Sequence, residues 1–235
     1  MKENNEFKGF DKKTVVFLRS LKKNNNKTWF NQNRKIYDDH VLGAAKRFVV
    51  AMGERLREYS PQIHAVPRVN SSIFRISKDI RFSQDKSPYK THMGLYFWEG
   101  ARPRMECPGY YFHLEPPNIM LGVGIYMLSG QAMDVYRRAV VNPEKGEELT
   151  AITKKISKLS GYSLGGKHYK RIPPGYPKDH PNAEFLLYNG LYGGIEVPIS
   201  EEFYSEKILD FCMQKYKPMV PLHKWLVSIR IGEYA

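Results

Sequence analysis

The sequence predicts an α+β fold: one domain, residues 1–235, with a central, mainly antiparallel sheet flanked by N-terminal and C-terminal helices. Three observations support this. Apolar residues recur at helical spacing through residues 9–60, which form a helical N-terminal part. Alternating strand-like segments follow in a run rather than between regularly spaced helices, which argues against a doubly wound parallel sheet. A chain of 235 residues is long enough to bury a sizeable core.

Three helices account for the N-terminal part. Asp11 is a suitable N-cap for the first, and Val15, Leu18 and Leu21 supply its apolar face. Asparagines end this helix, and a Ser-Pro pair ends the third. We expect residues 1–8 to be disordered and the helices to span 11–23, 27–38 and 41–58.

The sheet-plus-helix body is predicted within residues 70–235. Alternation of apolar and polar residues indicates the strands, and proline, serine or asparagine marks several helix starts. A segment with four prolines, residues 173–181, is predicted to be a rigid loop that leads into a helix ending near 189. The expected strands are 74–82, 91–98, 110–115, 119–126, 162–172 and 191–197, and the expected helices are 131–141, 143–159, 201–217 and 219–231.

The most polar stretch of the chain is residues 70–92. Interpreted as a strand, it places Arg75, Asp79 and Arg81 on one face, where the carboxylate can hold both guanidinium groups. A Ser-Pro turn then brings further cations and a tyrosine towards the arginines. Three interpretations of this stretch stay open. It is an anion or substrate site, a ladder of structural ion pairs that fixes the strand, or a run of solvated charges. The site would comprise Arg75, Asp79, Arg81, Asp85, Lys86, Tyr89 and Lys90.

The spacing R-x-x-K-D-x-R-F-x-x-D-K-x-x-Y in this stretch resembles the motif of a conserved family, the domain of unknown function numbered 2461. Segments 24–30, 109–114 and 174–181 resemble other elements of that family. The family usually has arginine where this chain has Lys78, and the exchange keeps the charge but loses the planar fork. The resemblance implies no established activity.

Two further positions could line a polar site. His113 shares a strand face with Tyr111 and Glu115, so it either lines such a site or is a satisfied histidine of the sheet. Asp179 and His180 are neighbours in the proline-rich loop, where they suit a general base, a metal ligand or a helix cap. Together with Lys78, these three residues are second-tier candidates.

Several classes of function lack their sequence signatures. Seven scattered histidines and two cysteines predict neither a metal site nor a disulfide framework. No nucleophile elbow, Walker A loop or dinucleotide fingerprint is present, so we expect no cofactor. The sequence predicts no membrane span and no signal-peptide core, hence a cytoplasmic protein. Its oligomeric state stays open.

The basic charge is concentrated near the N-terminus. The net charge is +13, and residues 8–35 hold nine basic residues and one acidic residue. This pattern is typical of a polyanion-binding surface, and Trp29 and Phe30 could stack on bases, although packing in the core is the commoner role. Three hypotheses follow: a small phosphorylated or carboxylated ligand bound at the central motif with or without turnover, a nucleic-acid-binding module, and a non-enzymatic scaffold.

Overall fold

The computed structural model of the chain describes residues 6–231 and confirms the α+β fold class. The helices are α1 (Lys12–Lys23), α2 (Lys27–Gln32), α3 (Arg34–Ile36), α4 (Gly43–Leu56), α5 (Gly130–Val141), α6 (Pro143–Ser157), α7 (Lys207–Tyr216) and α8 (Val220–Ser228). The strands are β1 (Met93–Trp98), β2 (Gly109–Glu115), β3 (Asn118–Ile125), β4 (Tyr162–Lys167) and β5 (Tyr188–Pro198).

The five strands form one antiparallel sheet in the order β1-β2-β3-β5-β4. The pairing of β4 with β5 sets Tyr162 opposite Ile195, and the register shifts between Gly165 and Lys167. Gly124 in β3 has a φ of +142°, and a Cβ there would lie 2.2 Å from the carbonyl oxygen of Leu191. The group that approaches this glycine is therefore the backbone of β5.

Some predicted elements differ from those observed. Residues 74–82 form no strand, and β4 ends at residue 167 rather than 172. The helix predicted over 201–217 begins as a separate 3₁₀ turn, Glu201–Tyr204, and the helix predicted before residue 189 is only a 3₁₀ turn, Ala183–Leu187. These segments have too few consecutive helical or strand hydrogen bonds to form the longer elements.

A π-helix, Tyr37–Leu42, joins α3 to α4 where the sequence predicted a break between two helices. The hydroxyl of Thr14 on α1, which is fully buried, donates a 2.6 Å hydrogen bond to the carbonyl of His40. A side chain that hydrogen-bonds a backbone carbonyl of a helix is a known cause of local interruption of the α-helical hydrogen bonds.

The chain divides into two compact units, and the first comprises residues 6–97, Tyr111–Met120 and Val197–Met213. Its core is built on aromatic rings. Phe10 stacks on Phe112 and Phe203, with ring centroids 5.7 and 4.7 Å away. Phe7 packs edge-on against Phe10 and is 4% exposed. Phe7, within the segment 1–8 predicted to be disordered, is therefore anchored in the core, and residues 1–5 lie outside the described part of the chain.

The second unit comprises Trp98–Tyr110, Leu121–Glu196 and residues 214–231. Trp225 of α8 is buried, and its indole N–H donates to the carbonyl of Lys145 at 2.9 Å. Tyr136 of α5 is also buried and donates its hydroxyl hydrogen to the carbonyl of Phe185. Because both polar tips have partners, two large rings are buried here without an unsatisfied donor.

Within residues 6–231, each helix is too short or too polar to cross a membrane.

Candidate functional site

Residues 74–90, here called the motif loop, are extended but form no regular strand. The side chains from Phe74 to Ile80 still alternate between half-buried and exposed, as the sequence predicted. Isolated backbone hydrogen bonds hold the loop, among them Lys78 N–H to Pro88 O at 2.9 Å and Lys90 N–H to Ile76 O at 2.8 Å.

Side chains replace strand pairing in the middle of the loop. A carboxylate oxygen of Asp79 accepts the backbone N–H of Arg81 at 3.3 Å, and one of Asp85 accepts that of Ser87 at 2.8 Å. Such local hydrogen bonds compete with a strand ladder. Phe82, which the predicted strand 74–82 would place on the face opposite Arg75, Asp79 and Arg81, is 94% exposed because the chain has turned before it.

Arg81 binds Asp79 through two hydrogen bonds. Its Nε and Nη2 donate to the two carboxylate oxygens at 2.9 and 2.7 Å. This hydrogen bonding lowers the pKa of Asp79, and the positive charge of Arg75 lowers it further. Arg75 itself makes no ion pair within residues 6–231, so the prediction that Asp79 binds both guanidinium groups is wrong for one of them.

Asp85 organises the turn that follows. The Lys78 ammonium donates to Asp85 Oδ2 at 2.6 Å and to the Ser87 hydroxyl oxygen at 2.7 Å. The hydrogen bond from Lys78, with those from Ser87, holds the pKa of Asp85 far below its usual range. The Lys78 ammonium is a point charge that contacts two oxygens at once. This geometry does not need the planar guanidinium of the arginine that the family usually has at this position. Lys86 donates to the carbonyl of Ile80 at 3.1 Å.

Tyr89 anchors the loop to the helical part of the first unit. Its ring stacks on Phe30 with centroids 4.1 Å apart. The amide of Asn25 binds the Tyr89 backbone twice, accepting from N–H at 3.1 Å and donating to the carbonyl at 2.8 Å. Phe30 is buried and belongs to the core, whereas Trp29 is half-buried and packs against Phe17.

A second polar group, the histidine cluster, consists of His92, His113 and Glu115 in the same unit. The two imidazole rings lie 4.4 Å apart between centroids. His113 Nε2 is 3.6 Å from Glu115 Oε2, and its Nδ1 is 2.9 Å from the hydroxyl of Tyr111. One potential ligand atom from each cluster residue lies within 4.8 Å of the others.

The surroundings of the cluster are positively charged. Burial, with the charge of His113, lowers the pKa of His92 to about 4, and Lys78 and Lys90 act in the same direction. Burial alone would raise the pKa of Glu115, but Lys22 and the two histidines more than offset it and lower it. At neutral pH His92 is therefore an uncharged imidazole beside a carboxylate.

The comparison with known families matches residues 13–225 to a family described as "Conserved hypothetical protein (DUF2461)". The chain belongs to the DUF2461 family. The resemblance noted in the motif is thereby confirmed at the level of the family. No curated protein gives a significant match.

In this DUF2461 protein, the remaining sequence candidates have distinct surroundings. The Lys90 ammonium lies 5.6 Å from the centre of the Phe74 ring. His180, in the second unit, accepts the backbone N–H of Asn182 at 3.1 Å, but Asn182 is itself the N-cap of the 3₁₀ turn Ala183–Leu187, so His180 does not cap that turn, and Asp179 is exposed. His113 is hydrogen-bonded on the sheet and also lies beside His92.

Sequence reasoning missed the pairing of these two histidines, because 21 positions separate them and only the register of β1 against β2 brings them together. The spacing His113-x-Glu115 on one strand face was the available signal.

Proposed function

We propose that this protein binds a small phosphorylated or carboxylated ligand at the exposed cations of the motif loop. One observation carries the proposal. Each aspartate of the loop already has one cationic partner, Arg81 for Asp79 and Lys78 for Asp85. Arg75 and Lys86 are exposed and have no carboxylate partner within residues 6–231.

The charge balance of the loop supports an anionic ligand. Residues 75–90 hold five lysines and arginines against two aspartates. Arg75 acts electrostatically on Asp79, the carboxylate to which Arg81 donates two hydrogen bonds. A guanidinium offers paired N–H donors that match the oxygens of phosphate or carboxylate. Asp79 would orient Arg81, and Lys86 would contribute charge from the turn.

The loop is also held in place before any ligand arrives. Asp85 fixes the turn through hydrogen bonds with Lys78 and Ser87. Asn25 fixes the end of the loop through hydrogen bonds with the backbone of Tyr89. A preorganised loop loses little conformational freedom on binding, and that saving favours affinity.

A thermal-shift screen of the full chain tests the proposal. Phosphate, sugar phosphates, nucleotides and dicarboxylates are offered at low and near-physiological salt. A ligand at 100 times its Kd should add about 2.7 kcal/mol of stability. We expect the shift to disappear in Arg75→Ala and in Lys86→Ala and to persist in Arg57→Ala, an exposed arginine at the end of α4. Absence of any shift with small anions, or shifts that survive both loop substitutions, would contradict the proposal.

A second candidate function has its own observation. Exposed cations of α1 and α2 have no acidic partner within residues 6–231, namely Lys12, Lys13, Arg19, Lys23 and Lys27. Such a surface suits the phosphates of a nucleic acid. A thermal shift with short DNA or RNA alone, falling steeply with salt, would support this function and oppose the first.

The proposed setting is the cytoplasm. Cys107 and Cys212 are both buried and neither forms a disulfide, in keeping with a reducing compartment.

A further inference from the structure

The geometry points to a divalent transition-metal site at His92, His113 and Glu115, independent of the function proposed above. One nitrogen from each imidazole and one carboxylate oxygen lie within 4.8 Å of one another. The sequence predicted no metal, because it showed no paired histidine spacing. The sheet register supplies the pairing that the sequence lacks.

The donor set suits a specific class of ion. Two imidazoles and one carboxylate are a known ligand set of catalytic zinc, and imidazole also suits cobalt, nickel and copper. Calcium and magnesium prefer oxygen donors, so the two nitrogens disfavour them. Three protein ligands leave a fourth tetrahedral position for water or an anion.

The orientation of His113 fits metal coordination. His113 uses Nδ1 for the contact with the Tyr111 hydroxyl at 2.9 Å, and its Nε2 faces Glu115. A second-shell hydrogen bond of this kind fixes the tautomer and direction of a metal-ligating imidazole.

The two oxygens of Glu115 have separate surroundings. Oε1 accepts from the Lys22 ammonium at 3.5 Å and from the Thr91 hydroxyl at 3.4 Å. Oε2 lies on the side of His113 Nε2, at 3.6 Å. The carboxylate can therefore keep Lys22 on one oxygen while it offers the other to a cation.

The site requires a modest contraction. Zinc–ligand distances near 2.1 Å place tetrahedral ligand atoms about 3.4 Å apart, closer than the present limit of 4.8 Å. All three side chains are only partly buried, so small rotations of their side chains can close this difference. Lys22, Lys78 and Lys90 lie in the electrostatic surroundings and favour an anion at the fourth position.

Cobalt binding to the full-length protein tests the inference. The protein, stripped with a chelator and dialysed, is titrated with Co²⁺ while visible absorption is recorded, and Zn²⁺ is then added. We expect one Co²⁺ per chain with the d–d bands of low-coordinate cobalt, displaced by Zn²⁺. His113→Gln and Glu115→Gln should each weaken Co²⁺ binding by about 100-fold or more, and Tyr111→Phe by about 10-fold.

His168→Gln is the matched control, because His168 is an exposed histidine whose ring contacts Tyr169. It should bind Co²⁺ like the unchanged protein. Thermal midpoints measured in chelator establish that each variant folds. If His113→Gln does not fold, the Co²⁺ affinity of Glu115→Gln decides the test. Failure of Co²⁺ to bind at one equivalent, or equal Co²⁺ affinity in the unchanged protein and a folded ligand variant, would overturn the site.

Discussion

Asn25 holds Tyr89 by both polar groups of its backbone, although 64 positions separate the two residues. The side-chain amide accepts from the Tyr89 N–H and donates to the Tyr89 carbonyl, as a neighbouring strand would. The Tyr89 ring stacks on Phe30, which lies five residues after Asn25. The turn between α1 and α2 is thus joined to the motif loop at Tyr89.

Asn25→Ala should destabilise the protein. It removes two partly buried hydrogen bonds, each worth about 1 kcal/mol, and leaves the Tyr89 backbone groups without this partner. We expect a loss of about 1–3 kcal/mol in the free energy of unfolding, measured by urea denaturation. Asn31→Ala, at an exposed position of α2, is the control and should change stability by less than about 0.5 kcal/mol. Equal stabilities of the two variants would show that the amide does not fasten the loop.

Substitutions at Tyr89 separate its packing role from a role in ligand binding. Tyr89→Phe keeps the ring that stacks on Phe30, whereas Tyr89→Leu removes the aromatic pair, worth about 0.5–1.5 kcal/mol beyond buried area. We expect Tyr89→Leu to unfold at lower urea than Tyr89→Phe, with Tyr89→Phe close to the unchanged protein. If Tyr89→Phe keeps full stability but loses the thermal shift with a small anion, the hydroxyl contacts the ligand. Equal unfolding midpoints for Tyr89→Phe and Tyr89→Leu would contradict the packing role.

The sequence predicts the regular elements better than the polar centre. The cap at Asp11 and the apolar face of α1 are local features, and they place this helix within one residue of its observed start. The alternation of Phe74 to Ile80 is also local, and it correctly predicts which side chains are half-buried. Alternation does not reveal where backbone groups find partners, so it wrongly predicted a strand.

Long-range pairings explain what else was missed. The contact of Asn25 with Tyr89 and that of His92 with His113 depend on how separate segments dock. Neither residue of a pair carries a local signal for the other. The sequence could identify His113 and Glu115 on one strand face, but the third member of the cluster required the register of the sheet.

The ion pair of Asp85 with Lys78 should make stability depend on acidity. The pKa of Asp85 is lowered in the folded protein, mainly by hydrogen bonding from Lys78, relative to about 3.9 when unfolded. The carboxylate therefore stabilises the fold above pH about 4, and this stabilisation is lost as pH falls through the lower folded value.

Comparison with Asp85→Asn, by urea denaturation at a series of pH values, isolates this contribution. We expect the unchanged protein to be the more stable at pH about 7 and the difference to shrink steadily below pH about 4. Asp134→Asn, an exposed carboxylate of α5 with no ion pair within residues 6–231, should leave the pH profile of the unchanged protein in place. A stability difference for Asp85→Asn that stays constant down to the lowest pH would contradict the assignment.

Gly94 in β1 makes room for the hydroxyl of Tyr111. A Cβ at this position would lie 2.8 Å from the Tyr111 oxygen and 3.3 Å from the Phe74 ring. Gly94→Ala should therefore displace the Tyr111 hydroxyl, which contacts His113, and overpacking of this kind costs about 1–3 kcal/mol. Urea denaturation measures the cost, and the cobalt titration measures whether the metal affinity of the histidine cluster falls with it.

Gly194→Ala in β5 is the matched substitution. The nearest atom to a Cβ there is the carbonyl oxygen of Leu121 at 3.5 Å, an ordinary van der Waals contact. Because alanine fits without moving a neighbour, stability should change by less than about 0.5 kcal/mol. If both alanine variants unfold at the same urea concentration, the Tyr111 hydroxyl moves aside without lowering the free energy of unfolding. Gly94 would then play no part in holding His113 in its observed orientation.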